Sequence, residues 1–147
     1  MLLTDEMIQC CSTIKFSRLT KCKIFPSDSE WMDSLVPFLQ NTPNLNFLIV
    51  DYTFTGRPPI ASSSWSESNY DPKCLSTSLE KFELIGYGGR DEEQELVDYI
   101  LTKSICLETA KISLRSTFLE LEDKDTRLEE LKAIPRASIT SQLLLKT

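Results

Sequence analysis

The chain of 147 residues contains no histidine. That absence removes Ser-His-Asp and Cys-His nucleophilic catalysis, His-Glu-x-x-His zinc hydrolysis and imidazole acid–base chemistry together. Only carboxylate or lysine chemistry stays open. Five cysteines are present (Cys10, Cys11, Cys22, Cys74, Cys106), but the number is odd and no C-x-x-C pair occurs. Neither a disulfide framework nor a zinc site is indicated. Cys22 and Cys106 sit in or beside apolar runs, where a reduced cysteine behaves as a small hydrophobe. That usage fits a reducing, intracellular compartment, cytoplasmic or nuclear. Long apolar runs are missing too: within the predicted strands they reach about four residues, so no membrane span is expected. The opening MLLTDEMIQCC brings two acids after four residues and no basic lead-in, unlike a signal peptide. Positive charge is in deficit. A net charge of -6 argues against nucleic acid as the main partner, because phosphate binding rests on a basic surface.

What is present is ordinary for one globular domain with a sizeable core, and it repeats. The pattern Leu-x-x-apolar-x-apolar occurs as Leu19/Cys22/Ile24, Leu45/Leu48/Val50, Leu79/Phe82/Leu84 and Leu107/Ala110/Ile112. Successive starts are about 26, 34 and 28 residues apart, close to a leucine-rich-repeat period with one interval lengthened. Residues two apart in a strand share a face, so the fourth and sixth positions point into one core and the third and fifth point away from it.

Helical segments are predicted between the strands, as parallel connections require. The first covers residues 30–40 with Trp31, Leu35, Phe38 and Leu39 inward, stopped by Pro43. The second covers 91–103 with Leu96, Val97, Ile100 and Leu101 inward, Asp91 as N-cap, and Lys103 at the negative end. The third covers 123–134 with Leu128, Leu131 and Ile134 inward, ended by Pro135. A last strand is expected over 140–145. The long interval holds a surface loop with Pro58-Pro59 and Ser62 to Ser64, in which Trp65 folds back as an apolar anchor. The fold class is therefore α/β, a leucine-rich-repeat-like solenoid with a parallel sheet on one side and helices on the other.

Gly86-Tyr87-Gly88-Gly89-Arg90 precedes a helix, yet no Gly-Lys-Ser/Thr follows, and Asp91, Glu92 and Glu93 occupy the place of a phosphate. It reads as a sharp strand-to-helix turn. Those acids, with Glu95, read as helix N-terminal charge, and the charged stretch 120–130 as the solvated start of the third helix. The third and fifth repeat positions are Lys21 and Lys23, Phe47 and Ile49, Lys81 and Glu83, Thr109 and Lys111. They would line one concave face with four lysines and two exposed apolar groups, suited to steering an acidic segment of a protein partner.

The pieces Pro72-Lys73-Cys74-Leu75, Ser78-Leu79-Glu80, Gly86-Tyr87-Gly88-Gly89-Arg90, the Glu-rich helix, Leu107-x-x-Ala110 and Pro135-Arg136-Ala137-Ser138 together resemble the FBD domain of plant F-box/FBD/LRR-repeat proteins. Residues 14–50 resemble the last leucine-rich repeats before that domain. The resemblance implies terminal repeat units over 1–57, a loop insertion over 58–72 and an FBD domain over 73–147, continuous with the same solenoid. It also implies a non-enzymatic protein-interaction module like the substrate-recognition part of an SCF-type ubiquitin-ligase adaptor. Nothing here resembles an F-box, so direct docking to a Skp1-type adaptor is not expected. No catalytic residue, cofactor or metal is expected, and neither is a membrane partner. The alternatives are a truncated gene product without an independent partner, and a carboxylate-based hydrolase, which would need two facing carboxylates.

Overall fold

A computed structural model describes residues 2–4, 15–26, 32–53, 72–88, 91–115, 120, 122, 124–138 and 141–146. Among these the order is β1 (Leu2–Thr4), β2 (Lys21–Phe25), α1 (Met32–Gln40), β3 (Phe47–Asp51), α2 (Lys73–Thr77), β4 (Lys81–Tyr87), α3 (Asp91–Lys103), β5 (Thr109–Leu114), α4 (Lys124–Lys132) and β6 (Gln142–Lys146). The strands form one sheet in the order β1-β2-β3-β4-β5-β6, and every neighbouring pair is parallel. A mixed α/β chain built on a parallel sheet is what the periodicity predicts. The elements β1 and α2 were not expected, and both are too short, at 3 and 5 residues, to carry a period. The expected loop, with Trp65, lies outside the described residues apart from Pro72, which is buried.

Each repeat enters its strand in the same way. The carbonyl of Thr20 accepts the N–H groups of Asn46 and Phe47, that of Asn46 accepts Glu80 and Lys81, and that of Glu80 accepts Glu108 and Thr109. The carbonyl of Glu108 then accepts the N–H of Gln142. Just before these acceptors, Leu45, Leu79 and Leu107 are buried, while Leu19 packs half-buried against the same core. On the strands the inward positions are Cys22, Leu48, Phe82 and Ala110, then Ile24, Val50, Leu84 and Ile112, all closed to solvent.

The helices cover this face. Leu35, Phe38 and Leu39 of α1, Leu96, Val97, Ile100 and Leu101 of α3, and Leu131 of α4 join the strand residues in one cluster, with Leu128 packed on its edge. Burying each such side chain contributes about 1.5–3 kcal/mol, which lets α1 tolerate Pro37 and its missing N–H inside the helix. Just after α2, the Ser78 hydroxyl lies within reach of the carbonyls of Leu45 (2.9 Å), Pro43 (3.0 Å) and Cys74 (3.3 Å). It donates its single proton to one of them at a time, and so ties the approach to β4 to the loop between α1 and β3 and to the end of α2.

The glycine turn is a strand-to-helix device, as expected, with one correction. Helix α3 already includes Asp91, so that residue is not the N-cap. The carboxylate that secures the turn is Glu93, buried, which accepts the Gly88 N–H at 2.8 and 3.3 Å. A Glu at the third helical position reaching back to a preceding N–H is the logic of a capping box. Before it, the β4–β5 register shifts between Ile85 and Tyr87. The extra residue is Gly86, with φ of +83°, in the left-handed region that favours glycine. The inserted residue resets the two-residue alternation, so Tyr87 turns into the core instead of away from it. A side chain at position 86 would also stand 3.2 Å from the backbone of Tyr52 and Thr53. Gly86→Ala is therefore expected to lower the unfolding free energy by about 1–3 kcal/mol. Urea denaturation reads this as a lower midpoint, and an unchanged midpoint would contradict the account of the bulge.

Candidate interaction surface

The register gathers the outward residues of β2 to β6 into rows. Lys21, Phe47, Lys81, Thr109 and Gln142 are successive partners across the sheet, and so are Lys23, Ile49, Glu83, Lys111 and Leu144. A third row runs Asp51, Ile85, Ser113 and Lys146. All eight residues singled out from the sequence stand together in the first two rows, on the face opposite the helices. Neighbouring members of a row are about 4.8 Å apart.

The rows differ in chemistry. In the first, the Lys21 ammonium sits 5.1 Å from the Phe47 ring centroid and the Lys81 ammonium 5.9 Å from it. Such contacts contribute only about 0.5–1 kcal/mol each when exposed, so their main effect is positional: two cations from different strands are held over one ring. In the second row, Lys111 Nζ lies 3.8 Å from Glu83 Oε1. Lys23 Nζ lies 3.5 Å from Asp51 Oδ2 and 5.2 Å from the Phe25 ring centroid. The sequence suggested two exposed apolar groups here. Phe47 is half-buried, but Ile49 is only 8% exposed. Its row neighbours Lys23 and Glu83 have long stems able to shield it.

Asp51 was not among the predicted residues, although an acid ending the apolar run Phe47 to Val50 was a visible signal. It is buried at the C-terminal end of β3, and its Oδ1 accepts the Thr53 N–H at 2.8 Å. Burial by itself would raise its pKa. The hydrogen bonds from Thr53 and the nearby Lys23 ammonium outweigh that and hold the carboxyl below its ordinary value. The Arg115 guanidinium, also unpredicted, donates to the Tyr52 carbonyl just beyond β3, while the Arg115 N–H donates to the Tyr87 carbonyl at 2.8 Å. Together they tie the exits of β3, β4 and β5.

The helix side carries a groove of about 440 Å³ lined by Gln94, Glu95, Asp98 and Ile134. Glu95 and Asp98 belong to adjacent positions of one helix face. They do not face one another from opposite walls, so the groove lends nothing to the hydrolase alternative. Among the described residues no group of three or more Cys, Asp or Glu is placed to hold a metal ion. No helix among them is long and apolar enough to cross a membrane. Cys22 and Cys74 are buried free thiols, with desolvation pushing them up to about 12 and about 11. Cys106, expected to pack like a hydrophobe, is exposed instead, with its thiol 3.5 Å from the Ser76 carbonyl.

Alternating strands and helices with one polar face open define the class, a parallel α/β chain, and the FBD family model matches its residues 67–112, from the approach to α2 into β5. Its relatives include FBD-associated F-box proteins and F-box/FBD/LRR-repeat proteins of Arabidopsis thaliana. A putative FBD-associated F-box protein is 42% identical over 98% of this chain and 34% of its own length. A putative F-box/FBD/LRR-repeat protein is 40% identical over 100% of this chain and 30% of its own, and a further F-box/FBD/LRR-repeat protein is 36% identical over 97% and 34%. The chain thus spans about a third of the length of the curated relatives it matches. No solved structure matches it.

Two measurements follow from the buried groups. The folded Asp51 titrates below its ordinary value of 3.8, so between the two values the unfolded chain binds more protons. Its contribution is complete above the unfolded value and lost as pH falls through the folded one. Urea midpoints measured against pH should drop on this acid limb more steeply for the native chain than for Asp51→Asn, whereas parallel limbs would discount the stabilisation of the carboxylate by Thr53 and Lys23. In the second, iodoacetamide labelling mapped by mass spectrometry should modify Cys106 in the folded chain and reach Cys22 and Cys74 only on denaturation.

Proposed function

We propose that the chain is a non-enzymatic protein-interaction module, the substrate-recognition portion of an F-box adaptor of a ubiquitin ligase, and that its open sheet face receives the partner. The single observation that carries this reading is the register: it sets Lys21, Lys23, Phe47, Ile49, Lys81, Glu83, Thr109 and Lys111 into two adjacent rows on one face. The sequential parallel order and the repeated strand entry support describing the architecture as a leucine-rich-repeat-like solenoid. The names of the relatives support the adaptor role. An intracellular setting, cytoplasmic or nuclear, belongs to the same reading and is supported by the odd number of cysteines.

The partner that fits is an acidic, extended protein segment. Five lysines (Lys21, Lys23, Lys81, Lys111 and Lys146) stand on the face against Asp51 and Glu83, in a chain whose overall charge is -6. The attraction centres on Phe47, where the Lys21 and Lys81 ammoniums converge on one ring. An acidic side chain seated there would meet two cations and a half-open aromatic ring at once.

The test is affinity capture from plant-cell extract with three baits: the native chain, Lys21→Glu/Lys81→Glu, and Lys132→Glu on the exposed helix side. A partner recovered by the first and third baits is expected to bind the second at least about tenfold more weakly, and more weakly still at high salt. Equal recovery by all three would remove the sheet face from consideration.

A further inference from the structure

Strand β6 stands at the end of the sheet among the described residues, paired only with β5. Gln142 sends its N–H to the Glu108 carbonyl. In a parallel ladder the main-chain groups of alternate residues point to alternate sides. Gln142, Leu144 and Lys146 thus bond toward β5, and the N–H and C=O groups of Leu143 and Leu145 point outward along the edge. The side chains of Leu143 and Leu145 are half-buried against the core, and Leu144 on the other face is 47% exposed. An open edge of three consecutive leucines is a pairing surface that folded proteins otherwise blunt with charges, bulges or proline.

We propose that β6 pairs antiparallel with β6 of a second copy of this chain, about a two-fold axis passing beside Leu144. The sequence of the strand, Gln142-Leu143-Leu144-Leu145-Lys146, is what selects this occupant. With the axis at Leu144, Leu143 opposes the partner's Leu145, and Leu145 opposes the partner's Leu143. These residues hold the outward amides, and directly opposed residues of that kind exchange both N–H···O bonds in an antiparallel pair. Leu144 then opposes the partner's Leu144 at the closely spaced, non-hydrogen-bonded site, where side chains meet most intimately. Lys146 falls opposite Gln142, so no like charges face one another. A slip by one residue would bring core-facing leucines against the open face and lose the match. The two-fold axis stands perpendicular to the sheet, so core faces and open faces stay on their own sides and the sheet continues from one copy into the next. Five residues per copy make a small interface, so the pairing is concentration-dependent.

Sedimentation of the chain over rising concentration is expected to pass from monomer to dimer. Leu144→Lys, at an exposed site that leaves the core untouched, is expected to raise the dimer dissociation constant at least about tenfold, with an unchanged circular dichroism spectrum. Under mild oxidation Leu144→Cys should give a disulfide dimer whose cross-linked peptide joins position 144 to itself. The facing Cα atoms would be about 4.5 Å apart, within disulfide reach. Gln142→Cys lies on the same strand but about 13 Å from its own copy, and should not cross-link. The proposal is overturned by any of three results: a native chain monomeric at every concentration, a Leu144→Lys dimer as tight as the native one, or Gln142→Cys cross-linking as fast as Leu144→Cys. It stands apart from the partner-docking reading, since it concerns the edge of the sheet and Lys21 and Lys81 take no part in it.

Discussion

A backbone device repeated at the strand entries governs everything the sheet displays. The residue before each strand turns its carbonyl toward the next repeat: Thr20 to Asn46 and Phe47, Asn46 to Glu80 and Lys81, Glu80 to Glu108 and Thr109, and Glu108 to Gln142. Because strand side chains alternate, a slip of one residue at any of these entries would exchange the whole apolar set of a strand with its polar set. The leucine just before each acceptor prevents that slip. Leu45, Leu79 and Leu107 are buried, and moving any of them by one position would forfeit about 1.5–3 kcal/mol of burial. Side-chain packing and backbone pairing thus specify the same register, which is the agreement between levels that makes a sequence choose one structure.

The far ends of the strands are secured by different means. At the exit of β3, Asp51 holds the Thr53 N–H and the Lys23 ammonium, and the Arg115 guanidinium reaches the Tyr52 carbonyl. At the exit of β4, Gly86 adds a residue, Tyr87 swings inward and Glu93 closes the turn on the Gly88 N–H. These exits rest on charged or conformationally special residues, whereas the entries rest on leucines and main-chain groups. The polar face between them is consequently patterned by chain end: ion pairs gather toward the exits, and the two lysines over Phe47 stand at the entries.

Much of this was legible before any coordinates. Leucine spacing alone located β2, β3, β4 and β5 and the faces of their repeat positions, because a period of two leaves only two choices and apolar burial decides between them; Tyr87, past the bulge at Gly86, falls outside that alternation. Helix α3 was equally legible, with its boundaries Asp91–Lys103 as expected, since its apolar stripe is uninterrupted. The misses share a cause. The elements β1 and α2 are shorter than a readable period. The burial of Ile49 and the exposure of Cys106 depend on what neighbouring repeats place beside them, which composition along the chain does not encode. The sequence marks Asp51 only as the acid ending an apolar run and Glu93 only as charge at a helix N-terminus. Their burial follows from backbone N–H groups that only the folded turn presents.

The regularity that makes the fold readable also leaves its boundary exposed. In β4 and β5 the inward pairs Phe82/Leu84 and Ala110/Ile112 are closed to solvent because a strand lies on each side. The equivalent pair in β6, Leu143/Leu145, has a neighbouring strand on one side only among the described residues and stays half-buried, although its residue types suit a sealed position as well as those of β4. No special feature is needed to produce this half-burial; it is what a repeat looks like where, among the described residues, no further strand pairs with it. The open face and the open edge meet at Leu144, which is the fifth member of the row containing Lys23, Ile49, Glu83 and Lys111 and the midpoint of the edge strand. Whatever pairs with β6 in register therefore extends that row, so that the sheet's polar surface and its means of growth are set by the same two-residue alternation.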